Sequence, residues 1–221
     1  MSIQRWLPCM AGMLALAMGM AGVAAAEEAS PGSLRAGIFG LEARGQRIVY
    51  VFDRSASMGE SAGRRLEVAK GELLRSLDAL GEVQQFYILF YNHRPLLFSP
   101  SGLRGRLVFA TEQNRQAARR FVESVRADGG TRHAEALTAA FRLQPDVVFL
   151  LTDAEEKDDL TAAELERLTR QSGAARCMIV QFGDHDATAP RLAALATATG
   201  GRSLLLAVPE ANPADPRESL P

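Results

Sequence analysis

Three short stretches of the chain carry oxygen donors at spacings suited to holding a cation. Asp53-Arg-Ser55-Ala-Ser57 sets hydroxyls two and four residues after a carboxylate. Gly129-Gly130-Thr131 offers another hydroxyl just after a flexible turn, and Thr152-Asp153 closes a long apolar run with a second carboxylate. Carboxylates, hydroxyls and water are the donors preferred by a hard ion such as Mg²⁺, which keeps several waters and demands near-octahedral geometry. No Cys or His lies between Asp53 and Ser57, which argues against zinc there. Each residue also has a plainer use: Asp53 in an Asx-turn, Ser55 and Ser57 as turn or helix caps, Thr131 as an N-cap. Taken singly, the plainer uses are the commoner ones. The conjunction matters only if the fold brings the three stretches together.

Hydrophobic patterning predicts the elements that would do so. Compact apolar runs at Arg47–Phe52, Gln85–Tyr91, Asp146–Thr152, 176–182 and 202–207 read as strands, and Asn92-His93-Arg94 reads as a turn into a further strand at Pro95–Phe98. Leu66, Ala69, Leu73, Leu77 and Leu80 recur at spacings of three and four, the signature of one helix face. Further helices are predicted at 112–126, with Ala117, Ala118, Phe121, Val122 and Val125 inward, and at 132–143, 161–171 and 189–198. Thr161 and Glu164 fit a capping box. Continuous apolar strands alternating with amphipathic helices predict an α/β fold: a doubly wound, mostly parallel six-stranded sheet, helices on both faces, and one antiparallel edge strand. With strand order 3-2-1-4-5-6, the strand ending at Phe52 neighbours the strand ending at Thr152, at the switch point where ligands bind. Asp53 and Asp153 then project into one crevice. Two unpaired carboxylates repel there, and a cation relieves the repulsion.

Asp53-x-Ser55-x-Ser57-Met58, Gly130-Thr131 and Thr152-Asp153 resemble the metal-ion-dependent adhesion site (MIDAS) of a von Willebrand factor type A (vWA) domain, over about 47–207. The resemblance implies a Rossmann-like vWA fold with Mg²⁺ (or Mn²⁺ or Ca²⁺) at Asp53, Ser55, Ser57, Thr131 and Asp153. Ser55, Ser57 and, in one state, Thr131 would touch the metal, while Asp53 and Asp153 would act mostly through bound water. The last coordination position would go to an Asp or Glu carboxylate of a protein partner. Ala56 and Ala154 stand where the family more often has glycine, and neither change removes a ligand. Met58 is expected to pack beneath the loop.

The rest of the chain sets context. The 221 residues are 47% hydrophobic and 23% charged, the balance of a globular domain, and the net charge of −1 offers no basic footprint for nucleic acid. Arg5, the uncharged stretch 6–26 and Ala24-Ala25-Ala26 read as a secretory signal peptide, residues 1–26. The alternative is an uncleaved inner-membrane anchor formed by residues 6–26, the one route to membrane contact. Either way the domain is expected outside the cytoplasm, periplasmic or secreted. Residues 27–46 read as a linker with a short edge element, and 208–221 as a disordered Pro-rich tail. Loss of the leader leaves Cys177 alone in a strand-type run, a buried small hydrophobe rather than half of a disulfide.

Arg54, His133 and Glu155 are expected to rim the crevice and meet the partner, with His133 solvated in a first helical turn. His93 reads as a hairpin-turn residue and His185 as a surface-loop one. The acidic run Asp153–Asp159 reads as solvated charge ahead of a helix. The function expected is a non-enzymatic binding module. Its alternatives are a metal-assisted hydrolase, which Ser55, His133 and Asp153 allow on paper without a nucleophile-elbow motif, and a scaffold domain that leaves the metal unused.

Overall fold

The structure, a computed structural model, describes residues 34–60, 64–102, 105–154, 156–183 and 189–207. The expected leader (1–26), the tail (208–221), Glu155 and His185 lie outside the described residues. By its contacts the chain divides into Met1–Pro31 and a compact unit from Gly32 onward. Among the described residues no helix is long and apolar enough to cross a membrane.

Strands β1 (Arg35–Ile38) and β2 (Leu41–Arg44) pair with each other alone. After them come β3 (Arg47–Asp53), α1 (Arg64–Asp78), β4 (Gln85–Tyr91), β5 (Pro95–Leu97), β6 (Val108–Phe109), α2 (Glu112–Ser124), α3 (His133–Phe141), β7 (Val147–Thr152), α4 (Ala162–Gln171), β8 (Arg176–Phe182), α5 (Pro190–Ala198) and β9 (Arg202–Leu206). The main sheet runs β5-β4-β3-β7-β8-β9, which is the expected order counted from β3. All neighbours in it are parallel except β5, which returns along the outer half of β4. The sheet has one strand more than expected. The two-residue β6 pairs antiparallel with the start of β4, so that edge is built in two pieces, one of them too short to carry a periodic pattern.

Helices cover both faces because the central strands are apolar on both. Ile48, Tyr50 and Phe52 of β3 face one core with α1 and α2, while Val49 and Val51 face the other with α3, α4 and α5. The helix face predicted from Leu66, Ala69, Leu73, Leu77 and Leu80 is buried throughout. The capping box at Thr161 and Glu164 closes as expected, and Thr111 caps α2 by accepting from the Asn114 amide. Cys177 is fully buried and burial pushes its thiol up to about 12, as befits an inert core residue. Met58 packs under its loop with no exposed surface.

Residues 35–44 correct the linker expectation. They form a β-hairpin whose alternate residues Ala36, Ile38, Leu41 and Ala43 are buried in the α1–α2 core. The turn at Phe39-Gly40 has positive φ at both positions (48° and 77°), the geometry of a type I′ connection. Two contacts fasten it: the Phe39 amide donates to the Glu72 carboxylate on α1, and the Phe39 ring meets Phe182 edge-on at 5.7 Å. The packed domain therefore includes Arg35–Arg44 rather than beginning at residue 47. Ile38→Ala removes a fully buried side chain and should cost about 2–5 kcal/mol, lowering the melting temperature by roughly 10 °C. Calorimetry checks this, and an unchanged melting temperature would return the hairpin to the status of a linker.

Candidate functional site

Register comes first. β3 and β7 pair in parallel from Ile48↔Val147 to Phe52↔Leu151, so Asp53 and Thr152 emerge side by side at their carboxyl ends. The Thr152 hydroxyl donates to Asp53 Oδ2 at 2.6 Å. The chain then turns so that the Ser55 amide donates to Asp53 Oδ1 at 2.7 Å, the Asx-turn anticipated for that residue. This turn presents Ser55 and Ser57 on one side. Their hydroxyls lie 3.1 Å apart, and Ser57 Oγ donates to Asp153 Oδ1 at 2.9 Å. Two carboxylates and two serine hydroxyls, from loops 96 residues apart, form one hydrogen-bonded cluster.

The loop before α3 docks onto that turn. The Ala56 amide donates to the Gly129 carbonyl and the Asp128 amide to the Arg54 carbonyl, each at 2.8 Å. Asn92, at the end of β4, donates to the Asp128 carbonyl. Gly129 has φ +75°, and a Cβ there would fall 2.4 Å from the His93 ring, so only glycine fits. Thr131, two residues on, is half-buried and borders a hollow of about 330 Å³ shared with Lys157, Asp158, Asp159 and Glu164.

Both carboxylates sit where ionisation is disfavoured. Burial pushes Asp53 up to about 6, against the pull of hydrogen bonds from Thr152 and Ser55, and the charge of Asp153 adds to the rise. Burial likewise raises Asp153, although Ser57 and Arg65 pull it down. Arg65, in the first turn of α1, donates to Asp153 Oδ2 at 3.0 Å. Among the described residues no three His, Cys, Asp or Glu side chains converge to hold a metal ion. A cation here would rest on serine hydroxyls and water beside two carboxylates. Such all-oxygen donors, short of positive charge, suit a hard divalent ion.

Of the rim residues, Arg54 donates to the Arg126 carbonyl, just past α2, at 3.4 Å. His133 corrects the expectation of a solvated rim histidine, being only 3% exposed. Its Nδ1 pairs with the Tyr91 hydroxyl at 2.7 Å, and burial drives its pKa down to about 4. The first turn of α3 lies on β4, so its leading residue belongs to the core. The paper hydrolase finds no relay here: His133 meets Tyr91, while Ser55 and Asp153 meet Ser57. Asp159 is not solvated charge either. Its carboxylate accepts the Arg191 and Leu192 amides and so caps α5. Thr152, Tyr91 and Arg65 were not singled out as single functional residues, and of these only Thr152 stood within a motif.

No family model matches the sequence. Over 104 residues, 47% of the chain, it is 31% identical to human inter-alpha-trypsin inhibitor heavy chain H4, and the match spans 10% of that much longer protein. Among solved structures, a von Willebrand factor type A protein from Catenulispora acidiphila superimposes with a TM-score of 0.64 at 25% identity, over 75% of this chain and 40% of that one. Proximal thread matrix protein 1 from the mussel byssus, solved with a zinc-occupied MIDAS motif, gives a TM-score of 0.54 at 16% identity over 74% and 43%. The chain has the fold of a von Willebrand factor type A domain.

The electrostatics yield a signed prediction. In the metal-free protein the folded state holds the Asp53 proton up to about pH 6, against 3.8 for the free side chain. Its contribution to stability is therefore complete below 3.8 and lost as the pH rises through 6. The loss is of order 3 kcal/mol. Asp53→Asn, which does not titrate, should gain on the wild type by that order between about pH 4 and about pH 8. Urea denaturation in EDTA at both pH values reads the difference; a constant gap would contradict it.

Proposed function

We propose that this domain is a protein-binding module whose grip on its partner depends on a divalent cation held by Asp53, Ser55, Ser57, Thr131 and Asp153. One observation carries the reading: Ser57 Oγ joins Ser55 to Asp153 while Asp53 stands behind Ser55, so the expected first-motif donors and the last aspartate share a cluster. Thr131 would join from the loop that follows Asp128 and Gly129, whose backbone is docked onto the Arg54–Ala56 turn. Neutral hydroxyls leave a bound cation electrophilic, and an Asp or Glu carboxylate from the partner would complete its coordination. The mussel neighbour's zinc-occupied MIDAS supports a divalent metal at such a site and keeps zinc beside Mg²⁺, Mn²⁺ and Ca²⁺ as the ion. In this reading the domain performs no catalysis.

Export belongs to the same proposal. The leader-like residues 1–26 would carry the domain to the periplasm or beyond, with residues 6–26 as an anchor if they stay uncut.

Thermal melting tests the reading. At about one hundred times its dissociation constant, a cation that binds only the folded state adds about 2.7 kcal/mol, a rise of roughly 5–10 °C for a domain of this size. Mg²⁺ or Mn²⁺ should produce such a rise in the wild type. Ser55→Ala and Ser57→Ala should remove it while staying folded. No rise in the wild type would favour a scaffold that leaves the metal unused, and ester turnover lost in Ser55→Ala would favour a hydrolase.

A further inference from the structure

Among the described residues, Arg65 is the basic side chain that forms an ion pair with either carboxylate of the cluster. Its partner Asp153 has a side chain only 3% exposed, while that of Arg65 is 32% exposed. The pair ties the first turn of α1 to the end of β7, 88 residues on in sequence. Helix stability does not explain the placement. Arg65 lies in the first turn of α1, where the helix dipole disfavours a cation. What it does satisfy is Asp153 Oδ2, the oxygen left over after Ser57 has taken Oδ1.

We infer that Arg65 is a resident cation of the cluster, one that a metal ion must displace from Asp153, and that it thereby sets how weakly the site holds its metal. This rests on the cation reading proposed above. With Arg65 in place, two carboxylates and one guanidinium leave a single net negative charge for an arriving ion, half of what the carboxylates alone would present. A divalent ion and a guanidinium on the same carboxylate also repel each other across a poorly hydrated pocket, where charges are screened less than in water. Release is outward, because the Arg65 side chain is already 32% exposed. The metal-free crevice is thus held together by an internal counter-ion, and its metal affinity is lowered in proportion.

The experiment titrates Mn²⁺ into the full chain at fixed ionic strength, following the dissociation constant by calorimetry and the melting temperature in EDTA. Arg65→Gln should bind Mn²⁺ about ten-fold more tightly than the wild type while melting lower in EDTA, since Asp153 loses its partner. Arg65→Lys keeps the charge without the planar fork and should bind about three-fold more tightly. It carries the test alone if Arg65→Gln fails to fold. Arg120→Gln, on the exposed side of α2, removes the same charge elsewhere and should change nothing. Binding by Arg65→Gln alone, with none in the wild type, would support the inference in its extreme form. Equal or weaker binding by the Arg65 variants, or equal tightening by Arg120→Gln, would overturn it and leave the cation reading intact. No binding by any of the proteins would overturn both.

Discussion

The parallel, in-register pairing of β3 with β7 is the constraint from which the rest of the site follows. It ends both strands at one level and leaves Asp53 and Asp153 no choice but to share a crevice. Neighbouring residues answer the resulting surplus of negative charge. Thr152 and the Ser55 amide each take one oxygen of Asp53, while Ser57 and Arg65 each take one of Asp153. Even so, burial keeps both acids above their ordinary pKa. A crevice with surplus acidity and hydroxyls at its mouth is poised for positive charge, whether it comes from an arginine or from an ion.

Such a crevice makes the domain less stable near neutral pH, and the remainder of the fold must offset it. The central strands bury both faces, and the hairpin at 35–44 completes the layer formed by α1 and α2. Buried polar ties brace the loops: Lys70 on α1 donates to the Val125 carbonyl at 2.7 Å, and Asp159 caps α5. The Asp128–Gly130 loop is clamped from two sides, by the Arg54–Ala56 backbone and by Asn92. Stiff loops on a stiff sheet suit recognition by preformed geometry.

Much of this was legible in the sequence, and the reasons are specific. The doubly wound sheet followed from apolar strands alternating with amphipathic helices, and with its strand order taken as 3-2-1-4-5-6 the two runs followed by Asp53 and Asp153 were expected to end side by side. Helix positions followed from three-and-four spacing. What escaped was encoded in weaker or longer-range signals. The hairpin alternates buried and outward residues around Phe39-Gly40, yet its strands are four residues each and two of its four inward residues are alanine, too little apolar surface to stand out. His133 read as polar and first-turn, because nothing local reveals that Tyr91, 42 residues earlier, waits beneath it. Arg65 was one arginine among many, and its pairing with Asp153 exists only once the sheet has formed.

A divalent ion is proposed to bind where these donors meet. Anomalous diffraction from crystals grown with Mn²⁺ addresses it most directly. A single peak is expected within about 2.0–2.3 Å of the Ser55 and Ser57 hydroxyl oxygens, at distances typical of small octahedral cations, with Asp153 turned from Arg65 toward the ion or its waters. A well-ordered, empty crevice at saturating Mn²⁺, or a peak only at some other cluster of acids, would contradict it.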